Sequence, residues 1–233
     1  DKDPRRGQEL SAQAADTGRA VGDVDLETIA LAQQGLALVC LGVVDEGMRL
    51  LDGAIAAATG GDMTNPEAIT NTCCYLISAC EKVRDIERAT QWARRVMKMC
   101  EEWPNRAMFA FCRTQYAGVL IWRGHWAQAE AELRGALADL GSARPAMTSL
   151  AVVRLADLRR RQGRFEEAQA LFEQAEREPC RTYIGPVLWL EEAGLALDRG
   201  DPRGAAELAH RFLRQVPVSD RAERAVGLEV LVR

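Results

Sequence analysis

The chain has 233 residues, 48% apolar but only 6% aromatic, and its 27% of charged residues balance to −4, with a pI near 5.4. That weakly acidic balance excludes the strongly basic surface of a dedicated nucleic-acid binder, and no apolar run approaches the ~18 residues of a membrane span. The opening DKDPRRGQEL has no apolar signal-peptide segment. Seven cysteines (Cys40, Cys73, Cys74, Cys80, Cys100, Cys112 and Cys180) form no CxxC pair and fall mostly in apolar helical runs. They read as small core residues of a protein in a reducing cytoplasm, not as zinc ligands or disulfides, so no cofactor and no metal is expected.

In chain order, Gly7–Val21 predicts a helix with Leu10, Ala14 and Val21 on one face, the second half of a hairpin whose first half is absent. Gly22-Asp23 ends it, and Asp25 is the expected cap of the next helix. Complete hairpins follow at approximately 25–59, 67–102, 107–140, 146–178 and 187–215, with a further partial unit at 220–233. Loops are expected at Gly60–Pro66, at Trp103-Pro104-Asn105, at Gly141–Pro145, and between Pro179 and Gly185-Pro186. No strand is predicted. The whole of 1–233 reads as a single helical-repeat domain, cut at both ends from something longer because neither end supplies a polar capping unit.

The hairpin at Ala151–Ala175 shows the pattern best. Val152, Leu155 and Ala156 recur at helical spacing before Gly163, and Ala168, Leu171, Phe172 and Ala175 recur after it. Neither helix is long enough to stand alone, so neighbouring hairpins must cover it. Aligned on the hinge residues Gly42, Arg84, Gly124, Gly163 and Gly200, the chain repeats every 37 to 42 residues. Five residues past each hinge stand Gly47, Ala89, Ala129, Ala168 and Ala205. Nine past stand Leu51, Ala93, Leu133, Phe172 and Ala209, and twelve past stand Ala54, Val96, Ala136, Ala175 and Phe212. Seven before the hinge stand Gly35, Ile77, Ala117, Ala156 and Ala193. Every column is small or apolar, which is the mark of a solenoid.

These columns resemble the tetratricopeptide repeat (TPR) from roughly Asp25 to Leu213. The resemblance implies an all-α, TPR-like α-solenoid of about five helix-turn-helix hairpins. Three features depart from it: Arg84 replaces a hinge glycine, Gly42 and Gly47 soften the first unit, and the period exceeds the usual 34.

Catalytic signatures are missing. There is no GxxxxGK[ST], GxGxxG, HExxH or GxSxG. The two histidines, His125 and His210, lie in different repeats, and Glu166-Glu167 and Glu191-Glu192 read as solvated helix faces. The reading is that the chain is not an enzyme. Arg154, Arg159, Arg160, Arg161 and Arg164 could contact an anion, but a net-negative chain favours their pairing with Glu166, Glu167 or acids of a neighbouring repeat.

In TPR-like stacks the first helix of each hairpin lines the concave side. The residues there outside the packing columns are Asn71, Cys74, Ser78, Glu81 and Lys82; then Phe111, Thr114, Gly118, Ile121 and Trp122; then Val153, Asp157, Arg160 and Arg161. Such a mixed aromatic and polar groove suits a peptide, a small-molecule effector or a protein partner. The Lys/Asn set with which chaperone-binding TPRs grip a carboxylate is not visible.

Longer phrases resemble the helical-repeat region of bacterial LuxR-type, MalT-like large ATP-binding regulators: VGDVDLETIALAQQGLALVCLGVVDEGMRLLDGAIAAA, FCRTQYAGVLIWRGHWAQAEAELRGALADL, VRLADLRRRQGRFEEAQALFEQAE and AERAVGLEVLVR. That resemblance implies a cytoplasmic, signal-sensing regulatory domain in transcription regulation, working by protein–protein or ligand interaction. It implies no direct DNA binding by this segment and no membrane, with a homodimer as an open arrangement. The alternatives are a stand-alone TPR scaffold or adaptor, or the helical appendage of a nucleotide cyclase or ATPase.

Overall fold

The computed structural model describes residues 3–101, 106–140, 145–177 and 181–233. Among these there are only helices: α1 (Pro4–Val21), α2 (Val24–Cys40), α3 (Val44–Gly60), α4 (Pro66–Val83), α5 (Ile86–Glu101), α6 (Arg106–Trp122), α7 (Trp126–Leu140), α8 (Pro145–Arg161), α9 (Phe165–Arg177), α10 (Arg181–Asp198), α11 (Pro202–Gln215) and α12 (Arg221–Val232). They form two compact units. Unit 1 is Asp1–Trp103 with Pro217–Glu223, and unit 2 is Pro104–Val216 with Arg224–Arg233.

One hinge chemistry recurs. At Gly22, Gly42, Arg84, Gly124, Gly163 and Gly200 the chain takes φ between 58° and 85°. At each, the hinge N–H returns to the carbonyl three residues back, and the next N–H to the carbonyl five back. At Gly163 these are Gly163→Arg160 at 2.9 Å and Arg164→Arg159 at 2.9 Å. This is the paired bond of a left-handed helix stop. Glycine takes the conformation freely; Arg84 takes it with a side chain and is the one non-glycine residue with positive φ among those described.

All four repeat columns are buried in both units. Burial of the small residues brings helices close. In unit 1 the approach is backbone to backbone: a Cβ on Gly47 would lie 2.5 Å from the Gly35 carbonyl oxygen, and one on Gly35 would lie 2.7 Å from that of Gly47. The glycine expected to soften this hairpin is what lets α2 and α3 touch. In unit 2, Val152, Val153, Ala156, Ala168, Phe172, Ala175, Ile184 and Leu188 form one core.

Two local expectations are corrected. Asp23, not Asp25, caps α2, accepting from the Leu26 N–H at 2.9 Å. The Asp25 carboxylate instead ties down the α3–α4 loop, accepting from the Thr64 N–H and hydroxyl and from the Asn65 N–H at 2.9–3.1 Å. Gly185-Pro186 is not a loop but lies within α10. Pro186 is the sixth residue of α10, where it lacks the N–H for one i→i−4 bond, and the helix continues through it. The turns expected at Trp103-Pro104-Asn105 and at Gly141–Arg144, together with Pro179 and Cys180, lie outside the described residues.

Pro217–Glu223 docks on unit 1. The Lys82 ammonium pairs with the Glu223 carboxylate, and the Ser219 hydroxyl donates to Asp3 at 2.7 Å. Asp220 caps α12 through the Glu223 N–H at 3.0 Å. Cys40, Cys73, Cys74, Cys80 and Cys112 are buried, and burial pushes the Cys40 and Cys80 thiols up to about 12. Such thiols are inert core groups.

Candidate functional site

The arginine-rich end of α8 organises unit 2. Helix geometry turns successive side chains by about 100°, so Arg159, Arg160 and Arg161 leave in three directions while all complement the carboxyl end of the helix dipole. Arg159, only 4% exposed, makes a two-pronged pair with Glu130 of α7, at 2.6 and 2.9 Å. That pair, with Arg134 beside it, holds the Glu130 carboxyl down at about 2. Arg160 reaches Asp198 of α10 at 2.6 Å. Arg161 swings toward α6, its guanidinium carbon 5.1 Å from the Trp122 ring centre. Arg164 pairs with Glu167 at 2.5 Å. These four arginines pair with neighbouring acids, as the charge balance led us to expect.

Asp157, 2% exposed, sits one turn earlier and serves two of them. It accepts from Arg160 Nη2 at 2.6 Å and from Arg161 Nε at 2.9 and 3.1 Å. Burial alone would raise its pKa, but Arg161 and Arg160 outweigh it and hold the carboxyl below its ordinary value. Glu191 of α10 faces the same cluster, with Arg160 Nη2 at 4.0 Å and Arg154 nearby. It is therefore not the solvated face residue that the sequence led us to expect. Burial, reinforced by the Asp157 charge and a hydrogen bond to Asp157, pushes Glu191 up to about 8. Two carboxyls in one low-dielectric site cannot both ionise cheaply; Asp157 keeps the charge and Glu191 the proton.

This makes a pH prediction. Between pH 4.5 and about 8 the folded chain holds a proton on Glu191 that the unfolded chain has lost, so this group's contribution to stability falls as pH rises through that window. Glu191→Gln mimics the protonated acid. Thermal melts across this window should show the variant gaining on the parent as pH rises; equal slopes would contradict the assignment.

Above the cluster lies an open cleft of about 550 Å³, lined by Ile121, Trp122, Trp126, Arg160, Arg161, Phe165 and Asp198 with the hinge glycines Gly124 and Gly163. Both hinges would have open space around an added Cβ. The cleft therefore lies where α6, α8 and α10 end and α7 and α9 begin. Trp122 and Trp126 are 37% and 38% exposed, although most large apolar side chains of unit 2 are buried. Among the described residues Trp126 has no hydrogen-bond or ring partner.

Of the residues expected in a groove, Ile121, Trp122, Arg160 and Arg161 converge on this cleft. Asp157 is buried beneath it. Thr114 is fully buried and its hydroxyl donates to the Ala110 carbonyl at 2.8 Å; Gly118 and Val153 are also buried, and Phe111 packs half-buried against the unit 2 core. In unit 1, Cys74 is buried, Lys82 is engaged by Glu223, and Asn71, Ser78 and Glu81 are half-buried on α4. Sequence reasoning did not name Trp126, Phe165 or Asp198, which stand at helix ends rather than on a concave face. An indole two residues past a hinge glycine was the available signal. His125 and His210 are both exposed. Among the described residues no three His, Cys, Asp or Glu side chains are grouped to hold a metal, and no helix is long and apolar enough to cross a membrane.

No protein-family profile and no curated protein matches the chain. Solved structures do. BtubC (BKLC) from P. vanneervenii is similar with a TM-score of 0.65 and 14% identity, over 92% of this chain and 91% of that one. TTC0263, a thermophilic TPR protein in Thermus thermophilus, gives 0.59 and 16%, over 87% and 98%. A tetratricopeptide repeat protein from Parabacteroides merdae gives 0.56 and 13%, over 97% and 86%. At these identities the likeness is one of fold: the chain is an all-α, TPR-like α-solenoid.

Proposed function

We propose that this chain is a non-catalytic interaction module and that the hinge-edge cleft of unit 2 takes a peptide segment of a protein partner. The TPR-like fold supports a protein-interaction scaffold. The observation that carries the placement is the pair of exposed indoles, Trp122 and Trp126, on the rim of a preformed cleft. Exposed tryptophan beside arginine is the composition of an interaction hot spot. The resemblance of the repeat phrases to LuxR-type regulators extends the proposal: in a parent protein of that kind, occupancy here would bias a module elsewhere in the chain, by population shift. A stand-alone scaffold is compatible with the same cleft. A cytoplasmic setting suits the buried cysteines.

The test is a peptide-array screen followed by fluorescence anisotropy on the best binders. Trp126→Ala should weaken binding by roughly tenfold or more, with the fold retained and the melting temperature lowered by no more than a few degrees, since the indole is already 38% exposed. Binding undiminished in that variant would place the contact elsewhere and sink the proposal.

A further inference from the structure

Resting on that reading, we infer that the cleft selects a peptide in which an Asp or Glu side chain stands next to a large apolar residue, the carboxylate meeting Arg161 and the apolar group meeting Trp126.

The two neighbouring arginines differ in how much of their donor set is spent. Arg160 uses Nε and Nη2 on Asp157 and Nη1 on Asp198, at 3.2, 2.6 and 2.6 Å, and its side chain is 11% exposed. It is a structural cross-link between α8 and α10. Arg161 uses only Nε, on both Asp157 oxygens, and its side chain is 29% exposed. Among the described residues its two Nη groups have no acceptor, and Arg161 lines the cleft. A guanidinium has five donors in a planar fork, and the Nη pair is the edge that takes a carboxylate two-pronged. The fork is also held still, by Asp157 at its base and the Trp122 face alongside. A pre-oriented donor pair loses little entropy on binding. Asp198, the one acid of the lining, is engaged by Arg160, so the unspent donors presented to a ligand are the two Nη groups of Arg161. Trp126 and Phe165 supply the apolar wall for the adjoining residue.

The experiment uses N-acetylated, C-amidated nonamers, so that the only carboxylate is a side chain. A central tryptophan is flanked by Glu, by Gln or by Lys, and Kd is measured on the full chain by anisotropy at fixed salt. The Glu peptide should bind roughly tenfold more tightly than the Gln peptide, the scale of one charge-assisted pair, and more tightly still than the Lys peptide. Arg161→Gln should erase that preference, and Arg161→Lys, which keeps the charge, should restore part of it and guards against misfolding. Trp126→Ala should weaken the Glu and Gln peptides by the same factor. Equal binding of Glu and Gln peptides by the parent, or tighter binding of Lys, would overturn the carboxylate inference while leaving the cleft as a peptide site. Binding of any of the three that ignores Trp126→Ala would instead overturn the underlying reading.

Discussion

Asp157→Ala should lower the stability of unit 2 by about 3–5 kcal/mol, the range for removing one partner of a buried ion pair. In a chain of this size that is a fall in melting temperature of roughly 10 °C. The cost arises because Arg160, 11% exposed, and Arg161 both close on Asp157, so its loss leaves two guanidiniums at the edge of the core with one carboxylate fewer between them. Asp157→Asn should cost less, because its amide oxygen still accepts from Arg160 and Arg161 and the side-chain volume is kept. In either variant Glu191 loses the Asp157 charge that reinforces burial, so its pKa falls and it ionises more readily beside Arg160, 4.0 Å away. Glu191→Gln should therefore depend on background: clearly stabilising in the parent at about pH 8, and less so alongside Asp157→Asn. Denaturant unfolding of the four chains of this cycle measures the coupling directly. Additive effects would show that the two carboxyls do not share a site.

The second large effect lies in unit 1. Gly47→Ala puts a methyl 2.5 Å from the Gly35 carbonyl oxygen and 2.9 Å from Val39 Cγ2, so α2 and α3 must part. Overpacking of this kind costs about 1–3 kcal/mol, of which better helix propensity returns up to about 1. Gly53→Ala lies in the same helix, exposed and with nothing within 4 Å of the new methyl. It should gain about 0.5–1 kcal/mol from propensity alone. Opposite signs from one substitution type in a single helix, read by chemical denaturation, separate contact from propensity; a loss at both positions would contradict the packing described.

The repeat was legible because each column answers to one physical demand. Hinge residues had to reach positive φ, the residue five later had to let helices touch, and those nine and twelve later had to fill the gap; every such position proved buried or turned as required. Arg84 was recognisable as a hinge from spacing despite its side chain. Pro186 misled, because proline reads as a breaker although α10 runs through it at the loss of one backbone bond. The site was legible only in part. Periodicity assigns residues to faces along a helix, and it named Trp122, Arg160 and Arg161. It carries no information on which helix ends open onto solvent together, and Trp126, Phe165 and Asp198 meet there through the stacking of α7, α9 and α10. Nor does it say which arginine is spent: Arg160 and Arg161 are identical in sequence terms and differ only in what Asp198 can reach.

The most direct measurement is an indole N–H correlation spectrum of the chain during titration with the Glu-flanked nonamer. Assignment by single Trp→Phe substitutions distinguishes Trp122 and Trp126 from Trp92 in unit 1, from Trp103, and from Trp189, which is half-buried under Arg211. The cleft account predicts that the Trp122 and Trp126 resonances move together, saturate with the anisotropy Kd, and leave Trp92 and Trp189 in place. Saturable binding with Trp122 and Trp126 unmoved, or with Trp92 shifted instead, would contradict it.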